Sequence, residues 1–132
     1  MFDLDGTLVQ RSREGMRVIP GASDALNAVR RSGRPFVVFT NASHVGPSRI
    51  AQRIREVGLD VDDDEVLTPV CSALSYLAQR HAHAQVLVFG TEEVKRRMAG
   101  AGVRLVRDKD AARADVVFVA HVDEVRVPVL EG

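Results

Sequence analysis

The feature that most restricts this chain is a set of short apolar runs that do not alternate with polar residues. Pro35-Phe36-Val37-Val38-Phe39-Thr40, Val86-Leu87-Val88-Phe89 and Val116-Val117-Phe118-Val119-Ala120 are rich in β-branched and aromatic residues. A strand with one wet face alternates, whereas a continuous run suits a strand buried on both faces of a parallel sheet. Val103–Val106 reads as a shorter, weaker strand. Helical spacing fills the intervals. Ala22, Ala25, Leu26 and Val29 recur at i, i+3, i+4 and i+7, and Gly33 stops that helix. Pro47 suits a first helical position, Ile50, Ile54 and Val57 share a face, and Gly58 ends it. Val70, Leu74, Leu77 and Ala78 mark a third helix; Val94, Met98 and Ala101 mark a fourth. Strand and helix alternate throughout, which predicts an α/β fold with right-handed crossovers.

Composition narrows the function. The chain has 132 residues, enough for one ordinary domain, and 45% are hydrophobic, enough for a core. Eighteen basic residues balance 18 acidic ones, so no electrostatic case exists for nucleic acid or an anionic membrane as partner. The lone cysteine, Cys71, allows no internal disulfide and points to a reducing compartment. No apolar run reaches the length of a membrane span. The start, Met1-Phe2-Asp3-Leu4-Asp5, lacks the basic and apolar stretches of a signal peptide, so the cytoplasm is the expected location. Only two of the basic residues are lysines, Lys95 and Lys109.

The strongest chemical signal is Asp3-Leu4-Asp5-Gly6-Thr7-Leu8. On an extended segment, residues 3 and 5 project to the same side. Two carboxylates so close do not both ionise cheaply, which suits one to act as an anionic nucleophile and the other as a general acid. Gly6 permits a sharp turn at the carboxyl edge of the sheet, where open α/β sheets bind ligands. An Asp-x-Asp-Gly stretch also opens calcium loops, but those need alternating ligands and a closing Glu, and here Thr7, Val9 and Arg11 follow.

The second signal is Thr40-Asn41-Ala42-Ser43, directly after the first long apolar run. A hydroxyl and exposed amides at a strand end can hold phosphate oxygens, although Thr, Asn and Ser also serve as plain turn residues. The order of the two signals, strand to Asp-x-Asp-Gly-Thr, helix, strand to Thr-Asn, is far more specific than either alone.

These residues resemble the first two motifs of the haloacid dehalogenase superfamily. The spacing is similar to that of the subgroup containing the N-acetylglucosamine-phosphate, p-nitrophenyl-phosphate and pyridoxal-phosphate phosphatases. Pro20-Gly21-Ala22, Gly58-Leu59, Glu65-Val66-Leu67-Thr68-Pro69 and Val88-Phe89-Gly90-Thr91 add to the likeness, which runs over roughly residues 1 to 124. The resemblance implies a Rossmann-like parallel-sheet core, partial here and spanning 1–69, followed over 70–132 by part of an α/β cap. It implies a magnesium-dependent phosphatase that hydrolyses a small phosphate monoester through an aspartyl-phosphate. Asp3 matches the nucleophile and Asp5 the general acid and base. The Asp3 carboxylate and the Asp5 backbone carbonyl match the magnesium ligands. Thr40, with Asn41 beside it, matches the phosphate-binding residues. The implied partner is a small phosphorylated metabolite, with homo-oligomer formation through the cap.

The family also uses a lysine beyond the cap and a final acidic motif at the metal site. Neither is present: no Gly-Asp pair exists in the chain, and Asp108, Asp110, Asp115, Asp123 and Glu124 come too early. The expected chain is therefore one truncated at both ends, with only two core strands and marginal folding. Its alternative function is that of a catalytically incompetent fragment or degenerate homologue. A signalling receiver domain would carry its phospho-acceptor Asp after the third strand, and here that strand ends in Gly90-Thr91.

Other residues carry simpler expectations. His81 and His83, two apart in a helical pattern, face different ways and make a poor metal pair. His44 follows the second motif in a loop. Cys71 opens a helix as a small packing residue. Gly100-Ala101-Gly102 ends a helix before a strand, the reverse of a dinucleotide site. Arg30-Arg31 and Arg96-Arg97 read as solvated helix faces. The acidic stretch from Asp60 to Glu65 reads as a polar surface link, and residues 125–132 as the start of a helix.

Overall fold

The computed structural model describes residues 1–122. It is α/β throughout, in two compact units. The first comprises Met1–Asn41 and Pro47–Thr68; the second comprises Ala42–Gly46 and the described residues from Pro69 on.

In the first unit, β1 (Phe2–Asp3), β4 (Val38–Phe39) and β5 (Val66–Leu67) form a parallel sheet in the order β1-β4-β5. The expected core had two strands; a third is present because Val66–Leu67 pairs with Val38–Phe39. The run 35–40 is a strand only at Val38–Phe39, and its burial alternates: Phe36, Val38 and Thr40 are buried while Val37 and Phe39 are partly covered. Between β1 and β4 lie an antiparallel hairpin, β2 (Val9–Ser12) with β3 (Gly15–Val18), and helix α1 (Ala22–Arg31). Helix α2 (Pro47–Glu56) follows β4 and buries Pro47, Ile50, Ala51 and Ile54; Ile50 and Ile54 lie on the face that their spacing predicts, whereas Val57 falls past the helix end and is only partly buried.

The acidic stretch is not a passive link. Asp63–Glu65 forms a 3₁₀ turn closed by a capping box between Asp62 and Glu65. Arg55 pairs with Asp63 at 3.0 Å, and hydrogen bonds from Arg55 and Ser48 hold the Asp63 carboxyl below its ordinary range. Nor is Arg30 a solvated helix residue. Its guanidinium makes two hydrogen bonds to Glu65, at 3.1 and 2.9 Å, and lies 4.9 Å from the Phe36 ring centroid. Its Nε, 3.5 Å from Asp60 Oδ2, makes no hydrogen bond. Phe36 in turn meets Phe2 of β1 edge to face. One arginine thus ties the end of α1 to the strand lead-in and to the acidic turn.

The second unit centres on β6 (Gln85–Phe89), flanked in parallel by β7 (Arg104–Val106) and β8 (Val116–Val119). Helices α3 (Pro69–Arg80) and α4 (Glu92–Gly100) complete it, and an irregular 3₁₀ segment (Asp108–Arg113) joins β7 to β8. Val70, Leu77, Val86, Val88, Val94 and Met98 form its core. Val86, Leu87 and Val88 are all buried, as a two-sided central strand requires. The run at 116–120 departs from expectation. β8 is an edge strand, so Val117 and Val119 stand 57% and 65% exposed. His81 and His83 lie beyond the end of α3 rather than within a helix. The helix start expected over 125–132 lies outside the described residues.

Candidate active site

The site is built by strand register in the first unit. Parallel pairing sets Asp3 opposite Phe39 and Phe39 opposite Leu67, so the three strands end level. The ladder continues one step further: Leu4 N–H donates to the Phe39 carbonyl at 3.0 Å, and Thr40 N–H to the Leu67 carbonyl at 3.1 Å. Asp3, Thr40 and Thr68 therefore stand at one carboxyl edge, the edge where open parallel sheets bind ligands. Thr40 and Thr68 are the buried polar residues among those described. Asn41, next to Thr40, is exposed.

The turn after Asp3 is tightly bonded. Amides of Thr7, Leu8 and Val9 converge on the Leu4 carbonyl at 3.4, 3.0 and 3.0 Å, and Gly6 N–H donates to the Val9 carbonyl at 2.8 Å. Gly6 has φ 82°, a conformation that favours glycine, as its place in the motif suggested. Asp3 and Asp5 are exposed while Leu4 between them is buried, so the two carboxylates share the solvent side.

The turn's hydrogen bonds are made without the Asp5 carbonyl. With the exposed Asp3 carboxylate it supplies hard oxygen donors of the kind magnesium takes, alongside retained waters. Among the described residues, no three His, Cys, Asp or Glu side chains gather as a metal cluster.

Sequence reasoning missed Arg11. Its Nε makes an ion pair with Asp5 Oδ1 from the first strand of the hairpin, and both side chains are well exposed. The only available signal was the hairpin itself, which folds Val9–Ser12 back beside the motif. Thr68 was also missed as an edge residue, because Val66–Leu67 is too short to stand out as a strand. His44 belongs to the second unit, where its ring lies 5.5 Å from that of His121.

A parallel α/β sheet with a carboxylate pair and a buried threonine at its carboxyl edge is the arrangement of a phosphoryl-handling hydrolase class. The chain belongs to the haloacid dehalogenase-like hydrolases, whose family model matches residues 1–104. The acid sugar phosphatase of Staphylococcus epidermidis is 28% identical over 109 residues, covering 83% of this chain and 40% of its own length. The chain thus spans about 40% of the length of such curated relatives. A glycerol phosphate phosphatase from Mycobacterium tuberculosis, crystallised with magnesium, matches 99% of this chain and 38% of its own, at 29% identity and TM-score 0.79. The p-nitrophenyl phosphatase of Archaeoglobus fulgidus, at 21% identity and TM-score 0.78, covers 99% of this chain and 48% of its own and shares the fold. Among the described residues, no helix is long and apolar enough to cross a membrane.

Proposed function

We propose that this chain carries the nucleophile-bearing part of a magnesium-dependent phosphatase for small phosphate monoesters. The observation that carries the reading is the register that brings Asp3 and Thr40 to one sheet edge. In this reading Asp3 attacks phosphorus, the ester P–O bond breaks, and the leaving oxygen takes a proton from Asp5. Asp5 then accepts a proton from water as that water attacks the aspartyl-phosphate, which releases inorganic phosphate and restores Asp3. Thr40 and Asn41 hold the non-bridging phosphate oxygens. Magnesium, held by the Asp3 carboxylate and the Asp5 carbonyl, would offset the negative charge on the phosphoryl group. The names of the relatives favour sugar or polyol phosphates as substrates. The same reading takes the second unit as part of a cap and the cytoplasm as the site of action.

The test is phosphate release from p-nitrophenyl phosphate with magnesium, by the 132-residue chain and its Asp3→Asn variant. Any release by the parent should be lost in the variant; release that persists undiminished in Asp3→Asn would sink the assignment.

A second reading is favoured by the Asp5–Arg11 pair. A carboxylate committed to a guanidinium is not placed to deliver a proton until that pair opens. The chain would then bind phosphate without turning it over. Titration of inorganic phosphate that saturates in a chain showing no release would select this reading.

A further inference from the structure

The second unit contains a cavity of about 660 Å³ that plays no part in the proposed reaction. It lies at the carboxyl end of its own parallel sheet. Val88 is the penultimate residue of β6, Val106 is the last of β7, and with Leu105 they give the hollow an apolar floor. Its rim is cationic. Lys95 and Arg96 come from α4, and Arg107 and Lys109 from the segment after β7. Both lysines of the chain are therefore on this one hollow.

Acidic neighbours do not cancel that charge. Glu92 and Asp108 are the acidic residues of the lining, against four cations. Glu92 is engaged by Lys95 at 3.1 Å, and Arg107 reaches Asp110 at 3.7 Å. No described residue pairs with Lys109. Long cationic side chains can lay their stems on any apolar surface. Here, though, they arrive from two separate elements at the sheet edge that binds ligands in open α/β folds. The volume is that of small-molecule sites, and an apolar floor with a few convergent polar groups is their usual composition.

We propose that this hollow binds a small organic phosphate with an apolar body. The body would lie on Val88, Leu105 and Val106, and the phosphate would face Arg107 and Lys109. A phosphate presents several oxygens at higher charge than a carboxylate, which suits arginine's paired donors and more than one cation. The lining shares no residue with the Asp3 motif, and binding there does not depend on phosphatase activity.

The probe is 1-naphthylmethylphosphonate, whose carbon–phosphorus bond an ester hydrolase leaves intact. The chain has no tryptophan, so naphthyl fluorescence reads binding directly. Saturable binding is expected in the 132-residue chain and, undiminished, in Asp3→Asn. Arg107→Gln with Lys109→Gln should weaken it by about tenfold or more. Lys109→Gln alone, at an exposed residue with no described partner, should weaken it measurably while leaving the unfolding midpoint unchanged. 1-Naphthoate should bind more weakly and inorganic phosphate more weakly still. Absence of saturable binding, unaltered binding in the double variant, or loss of binding in Asp3→Asn would each overturn the proposal. The last result would place the probe at the acidic motif instead.

Discussion

Asp5 sits between two demands. Its place two residues after Asp3 suits proton transfer, yet its carboxylate is paired with Arg11. Replacing Asp5 with Asn removes any acid–base role and should slow turnover by about 10²–10⁴-fold, while Asp3 remains able to accept a phosphoryl group. Steady-state rates and acid trapping of phosphorylated protein check this; an unchanged rate rules the role out. Arg11→Gln removes an exposed ion pair, and such pairs contribute about 0–1 kcal/mol, so chemical denaturation should find stability nearly unaltered. A larger loss would mean that the hairpin depends on the pair. Gly6 carries a different restriction. An added Cβ would meet nothing within 4 Å, so space is not the obstacle, but φ 82° is. Gly6→Ala should therefore cost about 1–2 kcal/mol from backbone strain alone.

At the level of elements, the parts that sequence showed and hid divide along physical lines. Ile50 and Ile54 were legible because helical spacing survives whatever packs against it, and Ile54 is fully buried. Ile54→Ala should cost about 2–5 kcal/mol in equilibrium unfolding. β6 was legible because a central strand must be apolar on both faces. The hairpin was not. Val9-Gln10-Arg11-Ser12 shows no clean alternation, Gly15-Met16-Arg17-Val18 alternates over only four residues, and Arg13-Glu14 between them is no recognised turn pair. Strands of two residues, such as β5, carry too little pattern to read. Asp3 and Thr40 were named as site residues from motif order, but their common edge became visible only through register. Arg30 was misread because its partners lie far away in sequence, Glu65 being 35 residues on. That pairing has a pH signature. Burial pushes the Glu65 carboxyl up, but the hydrogen bond from Arg30, the Asp62 amide and the Arg30 charge outweigh it, and the net shift is downward from 4.5. A carboxyl lowered by folding adds stability that is fully present above its unfolded value and is lost as pH falls through the folded one. The parent should therefore lose stability as pH drops below about 4.5, and Glu65→Gln should flatten that part of the profile. Thermal unfolding across pH 3–7 is the measurement; superimposable profiles would dismiss the pair as a contributor.

For the whole molecule, the described core holds more than two strands and a fragment of sheet. Three parallel strands, a hairpin and two amphipathic helices give the first unit its own set of buried residues, including Leu4, Leu26, Val38 and Ile54. Such a unit has the minimum of three strands that independent stability asks of a sheet. Cooperative thermal unfolding of the 132-residue chain is therefore the expected result, against the marginal folding that two strands alone would suggest. A broad, featureless melt by circular dichroism would contradict it.

The division into units also has an order in time. During synthesis the first sheet is complete once β5 emerges at Val66–Leu67, and the second must wait for β8 at Val116–Val119. At ribosomal speeds of about 5–20 residues per second, the roughly fifty residues between them take about 3–10 s, long enough for a small sheet to form. The five residues Ala42–Gly46 are caught across that interval. They are made with the first unit, yet their partners are late: the His44 carbonyl receives Thr91, the Gly46 amide donates to Glu93, and the Ser43 hydroxyl accepts from His121. Ser43, His44 and Gly46 must therefore wait for these partners, so the nascent chain is open to proteases and chaperones just after β4.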